Sequence, residues 1–214
     1  MPLYRTYKQK DLTVGVWKVD ETIEQLRSMF HQFSIYEEGF ERFKAEKRKL
    51  EWLAVRVLLK ELLGEEKKIV YLPSGKPCLE DGSACISFSH TPGYVAVAIH
   101  PSAEVGVDIE QYGTRVQRLA SRFVREDEQV SVASGDEIYA LLLHWSAKET
   151  MFKLMDDEAV DFIDHLHILP FKPEKSGCFE ACEYRSGKER KFLIHYDTHP
   201  DYVLTFACVT PSTR

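Results

Sequence analysis

Cysteine is scarce and unpatterned in this chain of 214 residues: there are 5, an odd number, and no two form a CxxC pair. A disulfide framework and a cysteine-rich zinc site are both disfavoured by that pattern. Reduced thiols, as in a cytoplasmic protein, are the expected state. Long apolar runs are missing too. Nothing approaches the roughly 20 residues of a membrane span, and no apolar stretch follows Met1-Pro2-Leu3-Tyr4-Arg5, so no secretory leader is predicted. The chain has no P-loop, no GxGxxG and no GxSxG, which removes those nucleotide-loop and serine-hydrolase readings. Positive charge is not in excess. With 28 Lys and Arg against 34 Asp and Glu, the net charge is −6, which argues against a general nucleic-acid binder.

What is present is a foldable composition, 44% hydrophobic and 12% aromatic. A strand is predicted at Leu12 to Val19, a helix from about Glu21 to Phe30 behind an Asp20 cap, and a long helix from about Phe40 to Leu63 that stops at Gly64. A short strand at Ile69 to Leu72 leads into a loop at Pro73–Pro77. Strands at Cys85–Ser89 and Tyr94–Ile99 flank a turn at Thr91-Pro92-Gly93. The second half, from about Pro101, holds a strand at Gly106–Glu110 and helices at about Arg115–Val124 and Glu137–Met155. Strands at Phe179–Tyr184, Lys191–Tyr196 and Tyr202–Val209 follow. Trp52-Leu53-Ala54 echoes Trp145-Ser146-Ala147, and His90-Thr91-Pro92-Gly93-Tyr94-Val95 echoes His199-Pro200-Asp201-Tyr202-Val203. These echoes predict an α+β chain of two similar halves, 1–100 and 101–214, each a long helix on an antiparallel sheet.

Strand period 2 puts Asp108 and Glu110 on one face. Helical spacing puts Trp145, Glu149 and Lys153 on another. Three carboxylates on a strand and a helix suit one hard cation such as magnesium, which leaves room for water and phosphate. Each pair also has a plain reading, as an exposed strand edge or a solvated helix pair. Ser87-Phe88-Ser89-His90 ends a strand; it is either turn capping or an anion contact made by Ser89, turn amides and His90. Arg42, Lys49, Arg56 and Lys60 fall along one side of the long helix, with Lys44, Lys47 and Arg48 close by. Arg115, Arg118, Arg122 and Arg125 form an arginine stripe. Both runs are either solvated faces or sites for phosphate or carboxylate groups. His165-Leu166-His167 reads as structural.

Gly75-Lys76-Pro77, Phe88-Ser89-His90, Gly106-Val107-Asp108-Ile109-Glu110, Arg122-Phe123 with Glu128, and Trp145-Ser146-Ala147-Lys148-Glu149 with Lys153 occur in this order. In these motifs, from about residue 42 to residue 153, the chain resembles the 4′-phosphopantetheinyl transferases of the Sfp type. The resemblance implies two α+β halves related by a pseudo-twofold, coenzyme A in the cleft between them, magnesium on its pyrophosphate, and a monomer. It implies Asp108, Glu110 and Glu149 as magnesium ligands and Lys153 facing the phosphates. Ser89 and His90 would meet the pyrophosphate and 3′-phosphate, and Lys76 with Pro77 would line the adenine end. Some relatives carry lysines ahead of the basic helix, where Gln32-Phe33-Ser34-Ile35 has none, so Lys47, Arg48, Lys49 and Arg56 all stay open as 3′-phosphate contacts. Glu128 stays open as ligand, base or support. The implied reaction moves phosphopantetheine from coenzyme A to a serine of an apo acyl or peptidyl carrier protein, with Asp108, Glu149 and Lys153 as the catalytic set. The alternatives are a coenzyme A or carrier-binding module without turnover and a metal-dependent nuclease.

Overall fold

The computed structural model describes residues 3–130, 136–155, 159–185 and 190–209. The chain divides into two compact units, Met1–Ser102 and Ala103–Arg214. Helices and antiparallel sheets make both, so the fold is α+β.

In the first unit, β1 (Leu3–Gln9) and β2 (Leu12–Lys18) form a hairpin. The helices α1 (Ile23–Ser28), α2 (Glu37–Glu41) and α3 (Glu46–Leu63) follow, then a small ribbon of β3 (Ile69–Tyr71) and β4 (Pro77–Leu79), then β5 (Cys85–Thr91) and β6 (Tyr94–His100). The sheet order is β1-β2-β6-β5. Apolar residues of α3, among them Leu53, Ala54, Val57 and Leu58, pack with Trp17, Val95 and Val97 in one core. Thr22, not Asp20, caps α1, because Thr22 and Gln25 close a reciprocal capping box. α3 ends where expected: Gly64 adopts φ 79 and its N–H returns to the Lys60 carbonyl.

The helix predicted from Phe40 to Leu63 is two helices. α2 stops at Glu41, and Ala45 is extended ahead of α3. Phe40 and Phe43 both pack on Trp52, with ring centroids 6.3 and 6.2 Å away. On one continuous helix Phe40 and Trp52 would stand about 18 Å apart. Burial of these rings therefore outweighs helix continuation.

In the second unit, β7 (Glu104–Gln111) is followed by α4 (Arg115–Leu119), a 3-10 turn at Ala120–Arg122 and α5 (Glu137–Met155). Strands β8 (Leu166–Ile168), β9 (Ser176–Glu183), β10 (Arg190–His199) and β11 (Tyr202–Val209) complete it, in the order β7-β11-β10-β9-β8. α5 is buried almost all round, with Leu143, Ala147, Met151 and Leu154 in the core formed with Phe192, Ile194 and Val203. Among the described residues no helix is long and apolar enough to cross a membrane, and no disulfide joins the five cysteines.

Candidate active site

The second unit assembles its polar residues along one seam, where β7 runs under α5. Gly106 makes the seam possible. A Cβ there would lie 2.5 Å from the Thr150 carbonyl oxygen and 2.9 Å from Leu154, so only glycine lets the helix come this close. Two residues on, Asp108 is 3% exposed, and its Oδ1 is 2.9 Å from Lys153 Nζ. Lys153 also donates to the Val107 carbonyl at 2.8 Å. Two residues further, Glu110 Oε1 accepts from Trp145 Nε1 at 2.7 Å. Strand period 2 has thus met helix period 3.6: Gly106, Asp108 and Glu110 face α5 and find Thr150, Lys153 and Trp145.

Electrostatics mark the seam as cation-seeking. Burial, with the nearby charge of Asp108, pushes the Glu149 carboxyl up to about 7, while Lys153 opposes the shift. Glu110 is raised to about 7 for the same two reasons, opposed by the Trp145 hydrogen bond, Lys153 and Arg115. These carboxylates therefore raise one another's cost of ionisation. Among the described residues no three His, Cys, Asp or Glu side chains stand together as a ready metal cage. Magnesium does not need one, since it is commonly held by one or two carboxylates plus substrate phosphates. The donor set is hard oxygen, and a cation would relieve the mutual repulsion; on that chemistry the residues fit magnesium.

Behind the seam lies a part that sequence reasoning did not assign. Lys148 is 0% exposed. Its Nζ donates to the carbonyls of Phe123 and Phe162 and pairs with Glu128 at 2.9 Å. Burial pulls the Lys148 ammonium below its usual range, and Glu128 opposes this. Both Glu128 oxygens also accept backbone N–H groups, from Ile168 at 2.7 Å and Arg125 at 2.8 Å. Glu128 is therefore a support. One signal for this was available: apart from the face of Glu149 and Lys153, α5 is largely apolar, and Lys148 does not lie on that face.

The arginine stripe does not survive as one face. α4 ends at Leu119 and passes into a 3-10 turn. Arg125 turns away to pair with Asp127 at 2.8 Å and to donate to the Ile163 carbonyl at 2.7 Å. Arg115, Arg118 and Arg122 are exposed. His165 is structural as expected, its Nδ1 accepting from the Asp161 N–H at 2.8 Å.

The first unit gathers a second set. Arg48 Nη1 lies 2.9 Å from His90 Nε2 and 3.1 Å from Glu51 Oε2. A guanidinium only donates, so Nε2 accepts and the ring proton sits on Nδ1, 3.7 Å from Glu51 Oε2. Lys47 approaches Glu51 at 3.9 Å. Ser89 and His90 are in strand, not turn: β5 runs through Thr91, and they pair with Ala96 and Val95 of β6. Any anion contact made by Ser89 and His90 therefore comes from an edge strand rather than from a turn. Pro77 opens β4 opposite Tyr71, and the Lys76 carbonyl accepts from Leu72 N–H at 2.9 Å.

The basic run on the long helix also disperses. Arg42 lies outside α3 and pairs with Glu38. Lys49 sits over the Phe40 ring, and Lys60 binds the Met29 carbonyl and Glu66. Arg56 is 4% exposed. Its guanidinium lies 3.3 Å from the centre of the Trp52 ring, and burial lowers it to about 10. Arg56 lines a pocket of about 500 Å³ with Arg42, Lys68, Tyr36, Phe43 and Tyr71. It stands apart from the Arg48–His90 pair.

Residues 104–207, from the first residue of β7 almost to the end of β11, match the family model described as the 4′-phosphopantetheinyl transferase superfamily. The match spans just under half of the chain and lies wholly in the second unit, which is similar to that superfamily. The match contains the whole seam, Asp108, Glu110, Trp145, Glu149 and Lys153, and the Lys148–Glu128 support behind it. Over 137 residues the chain is 28% identical to the 4′-phosphopantetheinyl transferase AcpT of Salmonella typhimurium, covering 61% of this chain and 71% of that protein. The AcpT of Salmonella typhi matches over the same shares at 28% identity. The chain is accordingly a phosphopantetheinyl transferase by class. Ser89, His90 and the basic residues of α3 lie outside the family match.

Proposed function

We propose that this chain transfers the 4′-phosphopantetheine group from coenzyme A to a serine of an apo carrier protein, in the manner of the Sfp type. The observation that carries the reading is the seam itself: a buried Asp108 paired with Lys153, with Glu110 and Glu149 half-buried beside them, within the residues matched to the superfamily. The serine oxygen attacks the β-phosphorus of coenzyme A and forms the new P–O bond. The bond to the bridging oxygen breaks, and adenosine 3′,5′-bisphosphate departs with it. Asp108, Glu110 and Glu149 would hold magnesium, whose charge when bound neutralises the pyrophosphate.

Glu149 takes the serine proton, directly or through a water it orients. Lys153, already held by Asp108 and the Val107 carbonyl, is placed to neutralise phosphate charge without reorganising. In the first unit, Lys47, Arg48, Ser89 and His90 read the coenzyme A phosphates, with Lys76 and Pro77 at the adenine end. Arg56 is the weaker candidate of the basic group, since its guanidinium is already stacked on Trp52. The reading extends to a cytoplasmic monomer built of two similar halves.

Incubation with coenzyme A, magnesium and an apo carrier tests it. The expected result is a carrier heavier by one phosphopantetheine, with adenosine 3′,5′-bisphosphate released in equal amount. Tight binding of coenzyme A or carrier with no mass gain would instead identify a binding module.

A further inference from the structure

We infer that Trp145 is a positioning residue: its indole N–H fixes the Glu110 carboxylate in the orientation that receives the divalent cation, and the buried Lys148–Glu128 pair fixes Trp145. This rests on the metal reading proposed above.

Trp145 Nε1 donates to Glu110 Oε1 at 2.7 Å, a charge-assisted contact that orients as well as attracts. The indole is itself held from two sides. Phe123 meets it edge-on with centroids 5.3 Å apart, and Phe162 lies at 5.5 Å. Both rings belong to loops, and loops alone would leave the indole loosely walled. Lys148, one turn along α5 from Trp145, corrects this by binding the backbone carbonyls of the same two residues, Phe123 and Phe162. Glu128 neutralises Lys148 and is anchored by the N–H groups of Arg125 and Ile168. One buried ammonium thus clamps two loops to the helix, the rings on those loops clamp the indole, and the indole holds the carboxylate. A group that orients a metal-binding carboxylate typically contributes 10- to 100-fold to metal affinity.

The test replaces Trp145 with 3-benzothienylalanine, which keeps the bicyclic ring and puts sulfur where the N–H was, and in parallel makes Trp145→Phe. Mn²⁺ is titrated into the full chain saturated with coenzyme A, with coenzyme A alone as the reference, and free Mn²⁺ is followed by electron paramagnetic resonance. Thermal midpoints and near-ultraviolet circular dichroism are recorded alongside. The isostere is expected to weaken Mn²⁺ binding about tenfold or more with its thermal midpoint unchanged. In a Glu110→Gln background it should add no further loss. Equal Mn²⁺ affinity of the isostere and the native chain overturns the inference while leaving the metal reading intact. A loss that persists undiminished in the Glu110→Gln background overturns the route through Glu110. A native chain that takes up no Mn²⁺ removes the metal reading, and this inference with it. Should Trp145→Phe misfold, the isostere decides alone.

Discussion

Both units lay a long helix over an antiparallel sheet, and in both the last strand pairs with the strand that precedes the helices, β6 with β2 and β11 with β7. In both, a glycine in that earlier strand faces the helix: Gly15 beneath Leu58 and Leu62, Gly106 beneath Thr150 and Leu154. Even the local sequence repeats, Val14-Gly15-Val16 and Val105-Gly106-Val107. The units diverge two residues later on the same face. The first continues with Trp17, which joins the core, while the second continues with Asp108 and then Glu110. On the helices, Trp52 is followed four residues on by Arg56, stacked back on its own tryptophan, and Trp145 by Glu149. Three residues after those tryptophans, the first unit buries Val55 and the second buries Lys148. One architecture therefore carries an apolar seam and a charged one. Apolar burial stabilises the first directly. The second bears the desolvation of three carboxylates, offset in part by Lys153 and the Trp145 N–H, and it is the seam equipped for chemistry.

Removing charge from the working seam should have the largest effect. Glu149→Gln is expected to lower kcat by about 100- to 10,000-fold, the range for a lost general base, with coenzyme A still bound. Single-turnover kinetics and calorimetry check this; a collapse of coenzyme A affinity with kcat preserved would make Glu149 a binding residue. Next in size is the support. Lys148→Met strands the Glu128 charge in the interior and should destabilise by about 3–5 kcal/mol. Adding Glu128→Gln removes the stranded charge while keeping an acceptor for the backbone N–H groups of Arg125 and Ile168, and should recover part of that loss in urea unfolding.

The two glycines give a sharper comparison. Gly106→Ala collides with backbone at Thr150, whereas Gly15→Ala meets only the ends of Leu58 and Leu62 at 2.9 and 3.0 Å. Overpacking of about 1–3 kcal/mol is expected at Gly106, and less at Gly15, where the leucines can yield.

The charged seam should also give the protein a pH signature. Glu110 and Glu149 rise from 4.5 to about 7 on folding, so the native state holds protons that the unfolded chain releases. Metal-free stability should then fall as pH rises from about 4.5 to about 7, and level off above. Thermal midpoints in a chelator measure the fall, and Glu149→Gln should flatten it. The smallest effect is expected at the exposed arginines. Arg115→Glu with Arg118→Glu should raise KM for the carrier a few-fold, more at low salt, with KM for coenzyme A little changed. An unchanged carrier KM would mark these arginines as a solvated face.

Local rules carried much of this molecule. Alternation in Val105–Glu110 placed Asp108 and Glu110 on one face, spacing by four placed Trp145, Glu149 and Lys153 on another, and the bounds of α5 are those read from its apolar pattern. These features depend on repeat geometry and end signals, which neighbouring residues encode. β1 escaped notice because an edge strand lying largely in solvent shows no clean apolar alternation, and β4 because Pro77 at its start signals a loop.

Partnership was decided by the tertiary structure. Lys148 meets Glu128 across 20 residues and Phe123 across 25. Arg56 leaves the basic run for the Trp52 ring, and Arg125 leaves the arginine stripe for Asp127 and the Ile163 carbonyl. A charged side chain in a sequence looks the same whether water or the interior receives it. Its fate is set by the desolvation it would suffer and by the acceptors that distant segments bring to it, and only the folded chain fixes both.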